Sequence, residues 1–504
     1  MEANKKTLVT NIICTLLYAV FTLILVFHHE TWADEAQVWQ LVRHLNVFEL
    51  FKHLVNEGHP SFFYLLMMPF AKLHLPIMFM QIFCWLCMTA SVFIFLQFSP
   101  FGKFAKFAIV TSAGFLYFFP VIARSYSLLP LLVFSLAILY PKANKHPFLY
   151  ASLIFILANI HIIMLVFCGF LTLDFLYSNL IKIRKEIDKD TLKKYAIAFG
   201  VMCIGLLAVV LQLHGTTSSN VVIKIDTTDI GISVVKVLSQ FFINAVDNQW
   251  PEYNTIMFPL LNVPAILLSA LIYVIMFILL LLKDKKLFVI TFFSILFQLV
   301  VYVIGYNHWV FVNRIFCAHI ILIFAFWLLM NKENISSKVK TTINICLSLF
   351  FIFMFMNGVK YSVLDIKYNY SSAIETAKYI EKNIDPENSI LITDNDPHVM
   401  GLVYYLDGKR KIYSVAHRYY IKYVIWDEKL FYILSKLGWA EYTRLEIEKN
   451  ADFKNKKIYA IIPAFDTYKM EVTELKDYKL IFQSQPAIVK YEGFRVYEYT
   501  GKNK

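Results

Sequence analysis

The strongest constraint on this chain is a series of apolar runs about twenty residues long. The first of them, LVTNIICTLLYAVFTLILVF at residues 8–27, carries no charged residue. A helix of that length crosses about 30 Å of hydrocarbon and satisfies all of its backbone hydrogen-bonding groups internally. Hydrophobic residues make up 58% of the 504 residues and charged residues only 17%, less charge than a soluble domain carries. The chain is therefore predicted to be a polytopic α-helical membrane protein.

About eleven segments are predicted to cross the membrane. Segment 61–73 is apolar but short, and Pro69 interrupts it, so it is predicted to be a re-entrant or interfacial helix. This choice places the loops that hold Lys103 and Lys142 in the cytoplasm, as the positive-inside rule favours. The predicted spans are 8–27, 77–97, 104–119, 125–140, 148–158, 162–177, 195–213, 259–282, 287–305, 311–330 and 341–357.

The net charge of +12 is interpreted as a membrane feature. Basic residues form short clusters between apolar runs, such as KIRKEIDKDTLKK at 182–194 and KDKK at 283–286. Such clusters hold loops on the cytoplasmic side and contact anionic headgroups. Membrane lipids are therefore predicted partners, and nucleic acid is not.

This topology divides the chain into two parts. Residues 1–357 form the predicted transmembrane domain, with outer loops at 28–60 and 214–258 that each contain a surface helix. Residues 358–504 alternate helices and strands and are predicted to form a small extracytoplasmic α/β domain. The protein is thus predicted to be a multi-pass cell-membrane protein with its C-terminal domain outside.

The C-terminal part has a distinct pattern of short elements. A helix is predicted at 371–384, and strands at 387–396, 410–415 and 457–465. The stretch IVKYEGFRVYEYT at 488–500 is predicted to be a hairpin. The motif DNDPH at 394–398 resembles a metal or sugar site, although Asp and Asn after a strand more often form a turn.

An acidic pair, Asp34 and Glu35, follows the first apolar run in TWADEAQVW. One reading is local, because Asp34 can cap a surface helix and Glu35 suits its first turn. Arg124 and Arg314 favour another reading, since an arginine deep in a span is costly unless an anion meets it, although Arg314 can also snorkel to the headgroups. A carboxylate base with phosphate-binding arginines is what sugar transfer from a lipid phosphate needs.

The order of these motifs resembles the GT-C superfamily of membrane glycosyltransferases. Within it, the chain is most similar to the branch that holds protein O-mannosyltransferases and bacterial lipid A aminoarabinose transferases. Ser61 stands where that branch has the second proline of an HPP motif, and Ile315 stands where an aromatic residue is common. The matching motifs are ADEA (33–36), GHPS (58–61), RSY (124–126), NIH (159–161) and NRIF (313–316).

The resemblance implies a GT-C fold and an inverting glycosyltransferase. A sugar is expected to pass from a polyprenyl-phosphate donor to an extracytoplasmic glycan, lipid or protein acceptor. Asp34 is the implied base, Glu35 its catalytic support, and Arg124 and Arg314 the donor-phosphate ligands. The implied substrate-binding residues are His59, Tyr126 and His161.

No cofactor is predicted. An acidic pair can bind a divalent metal, but the branch that the chain resembles works without one. For His161 the alternative is a satisfied polar residue between helices.

Two other functions stay open at this point. A polysaccharide polymerase or ligase also uses lipid-linked sugar, but typically has a large outer loop late in the chain with paired arginines. A transporter of lipid-linked sugar predicts two related halves with interrupted helices, and the sequence shows no such repeat.

Overall fold

The chain is a multi-pass helical membrane protein with a small sheet domain at its C-terminus. A computed structural model describes residues 2–181, 188–214, 230–243, 259–304, 312–434, 439–453, 455–464 and 477–501. In that part of the chain, eight helices are long and apolar enough to cross a membrane, and four shorter apolar helices accompany them. The helical membrane class and the small C-terminal sheet domain agree with the sequence analysis.

The membrane part consists almost entirely of helices. They are α1 (Glu2–His28), α2 (Ala33–His44), α3 (Val47–Leu54), α4 (Phe62–Lys72), α5 (Met78–Phe98), α6 (Lys103–Val110), α7 (Leu129–Leu139), α8 (Pro147–Ile160), α9 (Leu165–Phe175), α10 (Lys189–Gln212), α11 (Ile230–Ile243), α12 (Pro259–Lys283), α13 (Lys285–Ile304), α14 (Val312–Met330) and α15 (Ser337–Lys367). Helix α4 is eleven residues long, about 16 Å, which is half of what a crossing requires.

The predicted span 104–119 is not one helix. Helix α6 ends at Val110, and a π-helical turn follows at Gly114–Phe118. At Gly114 the backbone lies against the ring of Phe316, closer than any side chain would permit. The π-helical turn thus packs closely on α14, and the chain continues from it into the irregular segment that holds Arg124.

Helix α14 lies at the centre of the bundle. Every residue from Ile315 to Met330 is buried. Arg314 is in its first turn and therefore lies at the mouth of the bundle core.

Helix α2, in the first predicted outer loop, is buried between protein layers, where the sequence predicted a helix lying on the membrane. Ala33 and Ala36 belong to the core of the sheet domain, and Val38 and Leu41 to the core of the bundle. The Gln37 amide also exchanges two hydrogen bonds with the Val424 backbone, at 2.8 and 3.3 Å. The apolar spacing is the same for a helix that packs on lipid or on protein, so the sequence alone could not distinguish them.

The second predicted outer loop, 214–258, is described only in part. Its helix α11 packs against α12, α13 and α14 and buries Val237 and Phe241, so it is not a free surface helix. The flanking stretches 215–229 and 244–258 lie outside the described residues.

The C-terminal part is a mixed sheet with helices around it. The strand order is β3-β2-β1-β4-β6-β5, with β1 parallel to β2 and β4, and β6 antiparallel to β4 and β5. The elements are α16 (Ala373–Asn383), β1 (Ser389–Thr393), α17 (Met400–Tyr405), β2 (Ile412–Ser414), β3 (Tyr419–Tyr420), α18 (Glu428–Leu434), α19 (Trp439–Lys449), β4 (Lys457–Pro463), β5 (Tyr478–Gln483) and β6 (Phe494–Tyr499).

The predicted hairpin at 488–500 is wrong. Only β6 is a strand there, and it pairs with β4 and β5. The first half of the stretch bonds elsewhere, because Ile488 N–H donates to the Asn369 carbonyl at 2.9 Å and Val489 N–H donates to the Tyr370 carbonyl at 3.1 Å. The backbone N–H groups of these two residues therefore bond to the segment after α15 and not to a second strand of a hairpin.

Candidate active site

Asp34 and Arg124 form a direct ion pair at the centre of the candidate site. Asp34 Oδ2 lies 2.9 Å from Arg124 Nη1. The Arg124 side chain is 8% exposed and the Asp34 side chain 45%. Asp34 is in the first turn of α2, and Arg124 directly precedes a short 3₁₀ helix, Ser125–Leu128. The pair therefore combines an enclosed cation with an accessible carboxylate.

The predicted substrate-binding residues begin at the second terminal nitrogen of Arg124, beside the one that pairs with Asp34. Arg124 Nη2 lies 3.1 Å from His59 Nε2. The ring centroids of His59 and His161 are 5.3 Å apart, and those of His161 and Tyr126 are 4.5 Å apart. Arg314 Nε donates to the Tyr126 hydroxyl at 3.0 Å. Four segments distant in sequence thus meet in one chain of contacts between two arginines.

Both histidines have a buried ring nitrogen without a hydrogen-bond partner among the described residues. The arginine N–H groups only donate, so His59 Nε2 accepts and Nδ1 carries the proton. In the same way, His161 Nδ1 accepts from Ile163 N–H at 3.2 Å, which leaves the proton on Nε2. Burial, together with the charge of Arg124, holds the pKa of His59 well below its usual range. Two neutral donors therefore accompany the two arginines, a set suited to an anion.

Glu35 points away from this site. It is fully buried, and its Oε1 accepts from Ala123 N–H at 2.6 Å. Its Oε2 accepts from Trp32 N–H and lies 3.3 Å from His29 Nε2. Because Ala123 directly precedes Arg124, Glu35 fixes the backbone that carries the enclosed arginine.

A buried network extends beyond Glu35. His29 Nδ1 lies 3.0 Å from Asp365 Oδ2, and the Tyr117 hydroxyl donates to the same oxygen at 2.9 Å. Burial lowers the pKa of His29, but Asp365 and Glu35 together raise it to about 10. A protonated imidazole thus joins two carboxylates and ties α15 to the start of α2.

The sheet domain adds side chains that the sequence analysis did not assign to the site. His398, the last residue of DNDPH, stacks on Tyr491 with ring centroids 4.6 Å apart. Burial raises the pKa of Tyr491, Asp34 raises it further, and Arg314 and Arg124 lower it. Tyr491 therefore lies within electrostatic range of Asp34 and the two arginines, and His398 packs beside it.

Glu492 joins the sheet domain to the start of α2. Its Oε1 accepts from Ala33 N–H at 3.1 Å and its Oε2 from the Ser371 hydroxyl at 2.9 Å. The acidic side chain thus lies at the amino end of α2. Only the DNDPH motif gave a sequence signal for this side of the site. Tyr491 and Glu492 lie more than 450 residues from Asp34, in a stretch with no distinctive motif.

Among the described residues, no group of three or more His, Cys, Asp or Glu side chains has the arrangement of a metal site. The absence of a required metal stays a prediction. The charged groups that meet here are suited to binding an anion and accepting a proton.

No protein-family model matches the chain, and no curated protein matches it either. Solved structures do match. The crystal structure of ArnT from Cupriavidus metallidurans in the apo state aligns over 98% of this chain and 98% of its own, with a TM-score of 0.51 and 10% identity. The chain has the ArnT fold. The structure of ArnT bound to undecaprenyl phosphate aligns over 97% of both chains, with a TM-score of 0.50 and 9% identity.

The ArnT fold extends over the helical bundle and the sheet domain together, since the alignment covers nearly all of both chains. The predicted architecture, a helical membrane bundle with a small C-terminal α/β domain, is therefore confirmed at the level of the fold.

Proposed function

We propose that the chain is an inverting glycosyltransferase that moves a sugar from a polyprenyl-phosphate donor to an extracytoplasmic acceptor. The observation that carries the proposal is the half-exposed Asp34 carboxylate held against the enclosed Arg124 guanidinium, at the mouth of a bundle with the ArnT fold. ArnT itself has been solved with undecaprenyl phosphate. A lipid phosphate is thus a ligand that this architecture can hold.

The donor phosphate is proposed to bind between Arg124 and Arg314. Guanidinium groups match phosphate oxygens in pairs of charge-assisted hydrogen bonds. The buried N–H groups of His59 and His161 supply two further donors on the same side. A phosphate there would satisfy groups that are costly to leave unsatisfied in an apolar bundle.

Asp34 is proposed to be the base. The acceptor hydroxyl gives its proton to the Asp34 carboxylate while its oxygen attacks the anomeric carbon of the sugar. The bond from that carbon to the phosphate oxygen breaks, and its electrons remain on the polyprenyl phosphate. Arg124 and Arg314 offset the charge that develops there. A single displacement inverts the anomeric carbon.

Binding and catalysis are linked through Arg124. A phosphate that takes Arg124 Nη1 competes with Asp34 for the same N–H groups. Donor binding would therefore release the carboxylate toward the acceptor. Glu35 supports this exchange as a positioning residue, because its bond to Ala123 holds the Arg124 backbone in place.

The sheet domain is proposed to lie outside the cell, above the site. Tyr491 and His398 would then border the path along which the acceptor reaches Asp34. In this arrangement the acceptor reaches the exposed side of the Asp34 carboxylate, opposite the donor sugar.

The envelope glycans of a strain that lacks the gene test this function. The proposal predicts one glycan without a terminal or branching sugar, and its restoration by the wild-type chain. Identical glycans in the deletion strain and its parent, under conditions where the parent makes the protein, would contradict it.

A further inference from the structure

A second polar cavity lies at the other end of α2. It has a volume of about 540 Å³, within the range of small-molecule sites. Gln40 and His44 of α2 form one wall, and the loop at 408–411 forms the other. The cavity lies at the amino ends of β1 and β2, away from His398 at the opposite edge of the sheet.

Some of the charges around this cavity are already paired. Arg43 lies 2.5 Å from the Asp407 carboxylate, and Lys409 lies 2.8 Å from Glu381. The guanidinium of Arg410 donates to the Ile384 carbonyl and to the Ser389 hydroxyl, both at 2.8 Å. These contacts fix the loop at 408–411, so the shape of the cavity is defined without a ligand.

Three ammonium groups remain around the opening. Lys411, Lys422 and Lys456 are exposed and line the cavity from three separate segments. Within the described part of the chain, none of the three has a carboxylate in ion-pair distance, and Asp407 is the only acidic residue in the lining. Like charges around one cavity repel one another, and an anion bound between them would offset that repulsion.

The neutral groups of the lining favour a phosphate. Burial lowers the pKa of His44, Asp407 raises it, and Lys422 lowers it again, so the ring stays neutral near pH 7. A neutral imidazole and the Gln40 amide can both donate to phosphate oxygens. Lysine binds phosphate as a point charge and needs no fixed geometry.

We propose that this cavity binds a phosphate group of the acceptor. The inference rests on the proposed function. Ten residues of α2 separate Asp34 from His44, which corresponds to about 15 Å along the helix. The acceptor would then carry a phosphate about that far from the hydroxyl that reacts. This requirement selects phosphate-bearing glycans or glycolipids over neutral protein side chains.

The test uses inorganic tripolyphosphate, titrated by calorimetry into the full-length protein in phosphatidylcholine nanodiscs. The cavity variant is Lys411→Gln, Lys422→Gln and Lys456→Gln combined. The matched control combines Lys378→Gln, Lys429→Gln and Lys479→Gln, which removes the same charge from exposed positions elsewhere in the sheet domain.

The proposal predicts that the cavity variant binds tripolyphosphate at least about tenfold more weakly than wild type, because it lacks three positive charges that attract the anion. The control keeps wild-type affinity. In transfer assays, the cavity variant raises the KM for the acceptor and leaves kcat unchanged. Equal binding by the cavity variant and the control would overturn the proposal.

A third arm distinguishes the acceptor from membrane lipid. If phosphatidylglycerol in the nanodiscs weakens tripolyphosphate binding by the wild type as much as the three substitutions do, the cavity holds a lipid headgroup and the acceptor assignment is overturned. Insensitivity to phosphatidylglycerol supports it. The titration needs no sugar transfer, so failure of the proposed function and failure of this inference give different results.

Discussion

Asp34 Oδ2 lies 2.9 Å from Arg124 Nη1, although the two residues are ninety positions apart in the chain. The cation is enclosed and the carboxylate is half open. An isolated buried guanidinium is expensive, so this geometry requires an anion beside Arg124 at every stage. In our proposal, Asp34 supplies it first and the donor phosphate next.

Replacing Arg124 should weaken donor binding. Arg124→Gln removes the charge and one pair of N–H donors, so we expect the affinity for undecaprenyl phosphate to fall at least about tenfold, in line with 2–5 kcal/mol for a buried charge pair. Calorimetry on nanodisc-embedded protein measures it. Arg444→Gln, on helix α19 beside Glu448, is the charge-matched control and should bind as wild type does. Similar affinities for both variants would show that Arg124 does not hold the phosphate.

The two adjacent acidic residues, Asp34 and Glu35, should differ in how much they contribute to folding stability. Glu35→Ala leaves Ala123 N–H unsatisfied and His29 with one carboxylate fewer, so we expect a loss of stability of about 3–5 kcal/mol. Asp34→Ala also leaves the enclosed Arg124 without its anion, but water can replace the half-exposed carboxylate, so it should cost less, about 1–3 kcal/mol. Thermal unfolding in detergent compares the two variants. A larger loss of stability in the Asp34 variant would contradict the assignment of Glu35 as the structural member.

The contact between Glu492 and the start of α2 should make stability depend on pH. Burial raises the pKa of Glu492 from 4.5 to about 8, against the hydrogen bonds from Ser371 and Ala33. Because the folded-state pKa is the higher one, the contribution of this group is complete below about pH 4.5 and is lost as the pH rises through about 8.

Glu492→Gln keeps an acceptor oxygen for Ala33 N–H, can donate its amide to the Ser371 hydroxyl, and cannot ionise. Its unfolding temperature should therefore fall less than that of the wild type between pH 6 and pH 9, as measured by scanning calorimetry. Parallel curves for the two proteins would mean that Glu492 does not titrate in this range.

The close contact between Gly114 and Phe316 should tolerate no side chain. Gly114→Ala forces a methyl group into the ring two residues from Arg314, and overpacking of this kind costs about 1–3 kcal/mol. Gly169→Ala is the control, since its methyl group would meet no atom within 4 Å and helical alanine is favoured over glycine. We expect only the first variant to unfold earlier in detergent. Equal unfolding temperatures would show that the π-helical turn can shift.

The sequence predicted the class of fold because lipid leaves few choices. A run such as 8–27 must be a helix, since no water is present to bond its backbone. It could not show that 104–119 is not one helix, because the π-helical turn there packs against a ring of α14 that lies two hundred residues later. The apolar composition of a segment predicts that it spans the membrane, but its interruptions depend on packing between helices that are distant in sequence.

The sequence likewise predicted some residues of the candidate site and missed others. The ionisable residues near spans were visible because charge is rare there, and the structure brings Asp34, Arg124 and Arg314 into one chain of contacts. The sequence could not predict where the Glu35 side chain points, because this depends on its hydrogen bond from the backbone N–H of Ala123. Tyr491 was missed because an ordinary tyrosine in a β-rich stretch carries no signal of its distant partner.

Asp34→Asn is the most direct test of the central claim, because it removes the proton acceptor and keeps the shape of the side chain. Transfer from a polyprenyl-phosphate sugar and undecaprenyl phosphate affinity are measured on the same nanodisc preparation. We predict that transfer falls at least about 100-fold, as expected for the loss of a general base, while undecaprenyl phosphate affinity stays at or above that of the wild type, since a competitor for Arg124 has been neutralised. Near-wild-type transfer by this variant would contradict the account.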